Sequence, residues 1–187
     1  MTLYLVNRFC LSLLAVLAIN GCSSSISATA KFNGNFDFNG ISSYSTFDRN
    51  SDFSDFQNIS DATRNGIELA IEQVLDDKGF DYQASKDADI IIAYHLINRG
   101  KELKTYNQGV KFCGPCLRGG QAKRNKKAWQ MLPGSLILDV VDTKKHRSIW
   151  RSVFPLSVKQ DDNSFEVQEK IYNAINKMMK ALPKKVG

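Results

Sequence analysis

Residues 134–154 read GSLILDVVDTKKHRSIWRSVF, and this stretch decides the fold. Two apolar, β-branched runs, 134–142 and 148–154, flank a polar connection at 143–147. That pattern predicts the two arms of a hairpin. Successive side chains of a strand point to opposite faces, so residue types set the register. With Val140 opposite Trp150, Leu138 meets Ser152 and Leu136 meets Phe154 on one face. The other face sets Asp139 against Arg151, between the pairs Val141/Ile149 and Ile137/Val153. Opposite charges facing each other on a partly covered face support strand pairing.

Upstream, residues 88–96 (ADIIIAYHL) are apolar on both alternations, which predicts a central strand buried on both sides. Residues 101–106 are read as a further strand, and 128–131 as strand or loop. Nearer the N-terminus, 25–32 alternates apolar and polar, NGNFDFNG at 33–40 reads as a turn region, and 41–48 is a second strand. Two segments carry helical spacing. Ser60 N-caps a helix running to about Lys78, with Ile67, Ala70, Ile71, Val74 and Leu75 on one face. Gly79 supplies its left-handed stop, and Gly66 weakens its interior. A second helix covers about 164–182, with Asn163 and Glu166 forming a capping box. Its apolar face carries Val167, Ile171, Ala174, Ile175, Met178 and Leu182, and Pro183 ends it. The expected class is α+β: a mainly antiparallel sheet with two helices packed on one face, a two-layer sandwich.

The chain begins MTLYLVNRFCLSLLAVLAINGCSSS. Arg8, a short apolar run from Phe9 to Ile19 and small residues before Cys22 form the three parts of a secretory signal peptide. The run is too short for a transmembrane helix, which needs about 20 apolar residues. Residues 17–22, LAINGC, resemble the lipobox of bacterial lipoproteins. The resemblance implies cleavage before Cys22 and lipidation of its sulfur. Ser23 after the cysteine implies export to the outer membrane, facing the periplasm. The expected organisation is a signal peptide at 1–21, a short lipidated tether at 22–26 and one domain at 27–183.

Of four cysteines, Cys10 then leaves with the signal and Cys22 carries lipid. Cys113 and Cys116 remain, in the sequence CGPC, whose letters are those of the thioredoxin active site. That chemistry needs its first cysteine at a helix N-terminus, where the dipole lowers the thiol pKa. Here the chain continues LRGGQAKRNKK, whose glycines oppose a helix, and Phe112 stands where thioredoxins have Trp. Three readings stand: a local disulfide stapling a loop, a membrane-tethered thiol–disulfide oxidoreductase, and a metal site. Zinc would need two further ligands, and His95 and His146 are not spaced to supply them. No metal or cofactor is expected. His95 is read as a packed, hydrogen-bonded side chain on the central strand, and the acidic clusters Asp76-Asp77, Asp87/Asp89 and Asp161-Asp162 as caps and solubilising charges. No Gly-rich phosphate loop precedes a helix, and no nucleophile elbow is present.

The formal net charge is +6, and it is unevenly placed. No acidic residue lies between Glu102 and Asp139, whereas Lys104, Lys111, Arg118, Lys123, Arg124, Lys126 and Lys127 do. A basic, cysteine-containing loop is expected over about 107–128. In an exported protein such a loop suits an anionic surface, such as lipopolysaccharide or a membrane, rather than nucleic acid. The bland alternative is a solvated loop. Peptidoglycan or another envelope protein would be further partners.

Five pieces stand out in order: Tyr44-Ser45-Thr46-Phe47, a helix ending in Lys78-Gly79-Phe80, residues 88–95, residues 134–142 and Ile149-Trp150-Arg151. Together they are similar to a family of bacterial lipoproteins, the domain-of-unknown-function 4136 family. The likeness runs from about Ala28 to Leu182, and the basic CGPC loop departs from it. It implies a lipid-anchored α/β domain and assigns no reaction. The expected role is that of a non-enzymatic binding or scaffolding module.

Overall fold

In a computed structural model, the described residues are 28–49, 51, 59–97, 100–117, 133–159 and 161–185. Cys22 and the expected signal and tether lie outside them, as do Arg118, Lys123, Arg124, Lys126, Lys127 and residues 128–131. The elements are β1 (Thr29–Phe32), β2 (Ser43–Thr46), α1 (Asp61–Asp76), β3 (Asp81–Tyr82) and β4 (Ile90–Leu96), followed by α2 (Gly100–Gly109), β5 (Ser135–Asp142), β6 (Arg147–Pro155) and α3 (Ser164–Met179). A single 3-10 turn, Gly114–Cys116, follows α2.

The hairpin at the centre has the expected pairing. Val140 faces Trp150, Leu138 faces Ser152, Leu136 faces Phe154 and Asp139 faces Arg151. One pair differs: a bulge between Val140 and Val141 sets Val141 opposite Ser148 instead of Ile149. The extra residue re-aims its neighbours. Ile149 joins the core on the Trp150 face, and the Ser148 hydroxyl reaches Asp139 on the other.

β4 pairs antiparallel with β5, and β1 antiparallel with β6. β2 runs parallel to both β4 and β3. The six strands lie in the order β1-β6-β5-β4-β2-β3. The class is α+β as expected, but the sheet is mixed, with a parallel edge reached through α1. Parallel neighbours need such a crossover, since no tight hairpin joins them.

Strand alternation divides the core in two. Ile90, Ile92, Tyr94, Leu136, Leu138, Val140, Trp150 and Phe154 pack with the apolar faces of α1 and α3. Ser60 caps α1 by accepting from Thr63 N, and Asn163 with Glu166 forms the capping box of α3. Gly66 has a reason beyond tolerance. A Cβ there would come to 2.7 Å from Gln168 Oε1 and 3.1 Å from Ile171 Cδ1, so a side chain at this position would have to displace the ends of both.

The second face corrects the expected two-layer sandwich. Ile91, Ala93, Ile137, Val141 and Val153 on that face pack against Tyr106 and Val110, with Leu103 and Phe112 at the margin. Residues 101–106, expected as a strand, belong to helix α2. The sheet is therefore covered on both faces, which is why β4 and β5 are buried along almost their whole length and carry apolar residues on both alternations.

Candidate functional site

Three elements bring polar side chains together beneath α2. The hairpin supplies Asp139 and Arg151 as a cross-strand pair, the bulge adds Ser148, and α2 adds Tyr106 and Asn107. Arg151 Nε donates to both Asp139 carboxylate oxygens, at 2.9 and 3.0 Å. Its Nη1 donates to Asn107 Oδ1 at 2.8 Å, and its Nη2 lies 2.9 Å from Asp139 Oδ2. The Tyr106 hydroxyl donates to Asp139 Oδ2 at 2.8 Å, and the Ser148 hydroxyl donates to Oδ1. The Phe112 ring lies 3.6 Å from the guanidinium carbon of Arg151, within cation–π range.

The expected charge pair is thus wholly buried rather than partly covered: both side chains are 0% exposed. Burial, and then the Asp139 charge, push the Tyr106 hydroxyl well above its ordinary pKa, which keeps it a neutral donor. Chemically, the cluster fixes α2 to the sheet. A carboxylate holding three donors in a dry interior is an anchor with strict geometry.

His95, from β4, stacks on Tyr106 with ring centroids 4.8 Å apart. It is packed as expected, but neither ring nitrogen has a hydrogen-bond partner among the described residues. Burial lowers its pKa and outweighs the opposing charge of Glu102, while Arg151 adds to the lowering. His146 sits apart, at positive φ in the hairpin connection.

The cysteines follow the C-terminal end of α2, where the helix dipole disfavours a thiolate. Cys113 and Cys116 are joined by a disulfide, with Cα atoms 5.2 Å apart. The turn between them ends at Leu117, whose backbone is extended, so it does not open a helix there. Lys111 is exposed at φ 45° beside the pair. With Lys104, Asn107, Gln108, Leu103 and Phe112 it lines an open depression of about 540 Å³. Of the basic residues read as an anionic-surface contact, Lys111 alone is described.

Two of the acidic clusters have structural partners. Asp89 Oδ2 accepts from the backbone and hydroxyl groups of both Ser42 and Ser43. Burial opposes its ionisation, but those four hydrogen bonds win and lower its pKa. Asp162 accepts from Lys159 N and pairs with Lys170. Among the described residues no three His, Cys, Asp or Glu side chains converge as a metal site, and no helix is long and apolar enough to cross a membrane.

Sequence reasoning found Asp139, Arg151 and His95 but missed Tyr106, Asn107 and Ser148 as members of one site. The signal for α2 was present in the spacing of Leu103, Tyr106 and Val110 along one helical face.

Fold and site define an α+β domain in which a mixed sheet, covered on both faces, is bonded to one of its covering helices through a buried ion pair. The chain belongs to the family described as Domain of unknown function (DUF4136), which it matches over residues 28–184. It is similar in structure to a DUF4136 family protein, BT2437, from Bacteroides thetaiotaomicron VPI-5482. The TM-score is 0.55 and the identity 16%, covering 84% of this chain and 97% of the other. That likeness is one of fold. No curated protein matches the chain.

Proposed function

We propose that this protein is a lipid-anchored lipoprotein of the outer membrane, facing the periplasm, whose domain binds or scaffolds an envelope component without catalysing a reaction. The observation that carries the reading is the LAINGC sequence at 17–22, with β1 beginning at Thr29 close behind it. The tether 22–26 reaches roughly 18 Å at full extension, so the domain would work next to its bilayer. Two or more acyl chains, at about 0.8 kcal/mol per buried methylene, hold such an anchor stably.

The non-enzymatic part is supported by burial. Among the described residues, the cluster richest in acid, base and hydroxyl groups holds Asp139, Arg151, His95 and Tyr106, all at 0% exposure, which offers a substrate no approach. For the binding role, the basic residues Lys111, Arg118, Lys123, Arg124, Lys126 and Lys127 favour an anionic partner such as lipopolysaccharide.

Labelling cells with radioactive palmitate tests the anchor. Label is expected on the wild-type protein and absent from Cys22→Ala, with the mature mass starting at Cys22. A product that begins at Met1 and carries no label would end the proposal.

A further inference from the structure

Phe112 and Leu117 bracket the cysteine pair, and both are pressed into the domain. Phe112 covers Arg151 at 3.6 Å, and Leu117 is buried. Between them Cys113 and Cys116 are half-buried, within reach of a small reductant. The Cys116 N–H donates to Cys113 O and the Leu117 N–H to Gly114 O, so the disulfide closes one tight turn. A Cβ on Gly114 would sit 3.6 Å from Phe112 Cε1, so the turn abuts the Phe112 ring. Upstream, the Phe112 N–H donates to Asn107 O and ends α2, while Asn107 Oδ1 accepts from Arg151. An unbroken path of contacts therefore runs from the half-buried cysteine pair to the buried ion pair.

We propose that the Cys113–Cys116 disulfide is a redox-operated latch on helix α2. Oxidised, it holds Phe112 over Arg151 and keeps the last turn of α2 closed. Reduced, it releases both. The step needs a dithiol reductant: its two electrons and two protons break the Sγ–Sγ bond and leave two thiols, while its own sulfurs join as a disulfide. A four-residue ring restricts the open state by at most roughly twentyfold on chain-entropy grounds. That is too small to hold the whole domain together and enough to govern one helix end. The latch does not depend on the lipid anchor, and it requires no turnover at the cysteines.

Amide hydrogen exchange on the full-length protein, oxidised and in dithiothreitol, tests it. Reduction is expected to speed exchange at residues 106–112 by roughly three- to twentyfold and to leave β4 and β5 unchanged. The double variant Cys113→Ser/Cys116→Ser should match the reduced protein. In Phe112→Ala the same amides should already exchange fast, with reduction adding less than about twofold. Phe112→Leu serves if the alanine variant does not fold. The latch is refuted by unchanged exchange on reduction, by equal acceleration across the whole sheet, or by an undiminished redox response without the Phe112 ring.

Discussion

Removing one partner from the Asp139–Arg151 pair strands the other charge in a site with no solvent. Such half-broken buried pairs cost about 3–5 kcal/mol, whereas apolar replacement of both partners is often neutral or better. Asp139→Ala should therefore lose about 3–5 kcal/mol in urea denaturation. The triple change Asp139→Leu, Arg151→Met and Tyr106→Phe removes the charges and the Tyr106 hydroxyl together, leaves the Ser148 hydroxyl the Trp150 carbonyl at 3.4 Å, and should stay within about 2 kcal/mol of wild type. A triple variant as unstable as the single would show that the network does more than balance its own burial. His95 makes a separate prediction. Its folded pKa is lowered chiefly by burial, with Arg151 adding and Glu102 opposing. The unfolded chain therefore takes up a proton near pH 6.5 that the folded protein refuses. Stability from this residue is complete above about pH 6.5 and falls as pH drops below it, by no more than about 1.4 kcal/mol per pH unit. His95→Phe keeps the stack on Tyr106 and should flatten that slope between about pH 6.5 and 5 while staying within about 1.5 kcal/mol of wild type at pH 8. Unaltered pH dependence in the variant would remove His95 as its source.

Two helices end in the same way with different residues at the critical position. After α1, the Gly79 N–H donates to Asp76 O and the Phe80 N–H to Leu75 O, with Gly79 at φ 83°. After α2, the Lys111 N–H donates to Gln108 O and the Phe112 N–H to Asn107 O, with Lys111 at φ 45°. Both are paired-bond C-terminal stops that favour glycine. Glycine at 79 made the end of α1 legible in the sequence. Lysine at 111 hid the end of α2, and the polar residues between Leu103, Tyr106 and Val110 made the segment resemble a strand. Left-handed backbone costs an L-residue about 1 kcal/mol, so Lys111→Gly should stabilise the protein by about 0.5–1 kcal/mol in thermal unfolding. A loss of stability would mean that the lysine stem packs on α2 more usefully than its backbone strain costs. The bulge was illegible for a related reason. Ile149 and Ser148 each suit a strand, and only the need of Asp139 for a second hydroxyl donor distinguishes the two registers.

Across the whole molecule, the order strand, helix, strand at β2, α1 and β4 carried a signal for parallel pairing, because a helix between two strands returns the chain to the same end. The hairpin's strong pattern drew the reading toward an antiparallel sheet instead. Apolar residues on both alternations of β4 and β5 likewise called for a cover on each face, and two visible helices could cover only one. What no pattern in the chain identifies is the partner, because charge sets attraction without setting identity. The acid-free stretch from Lys104 to Lys127 does set how the domain should meet an anionic surface. The soluble domain without its lipid should bind vesicles bearing anionic head groups at low ionic strength. Binding should fade as the screening length falls from about 10 Å at 0.1 M salt to about 3 Å at 1 M. Replacing Lys123, Arg124, Lys126 and Lys127 with Gln should weaken binding at low salt and flatten its salt dependence, while the same change at Lys31, Lys86, Lys144 and Lys145, four cations outside that stretch, should do neither. Cosedimentation measures both. Attachment that persists at 1 M salt would assign the interaction to apolar contact, and equal effects of the two substitution sets would assign it to net charge alone.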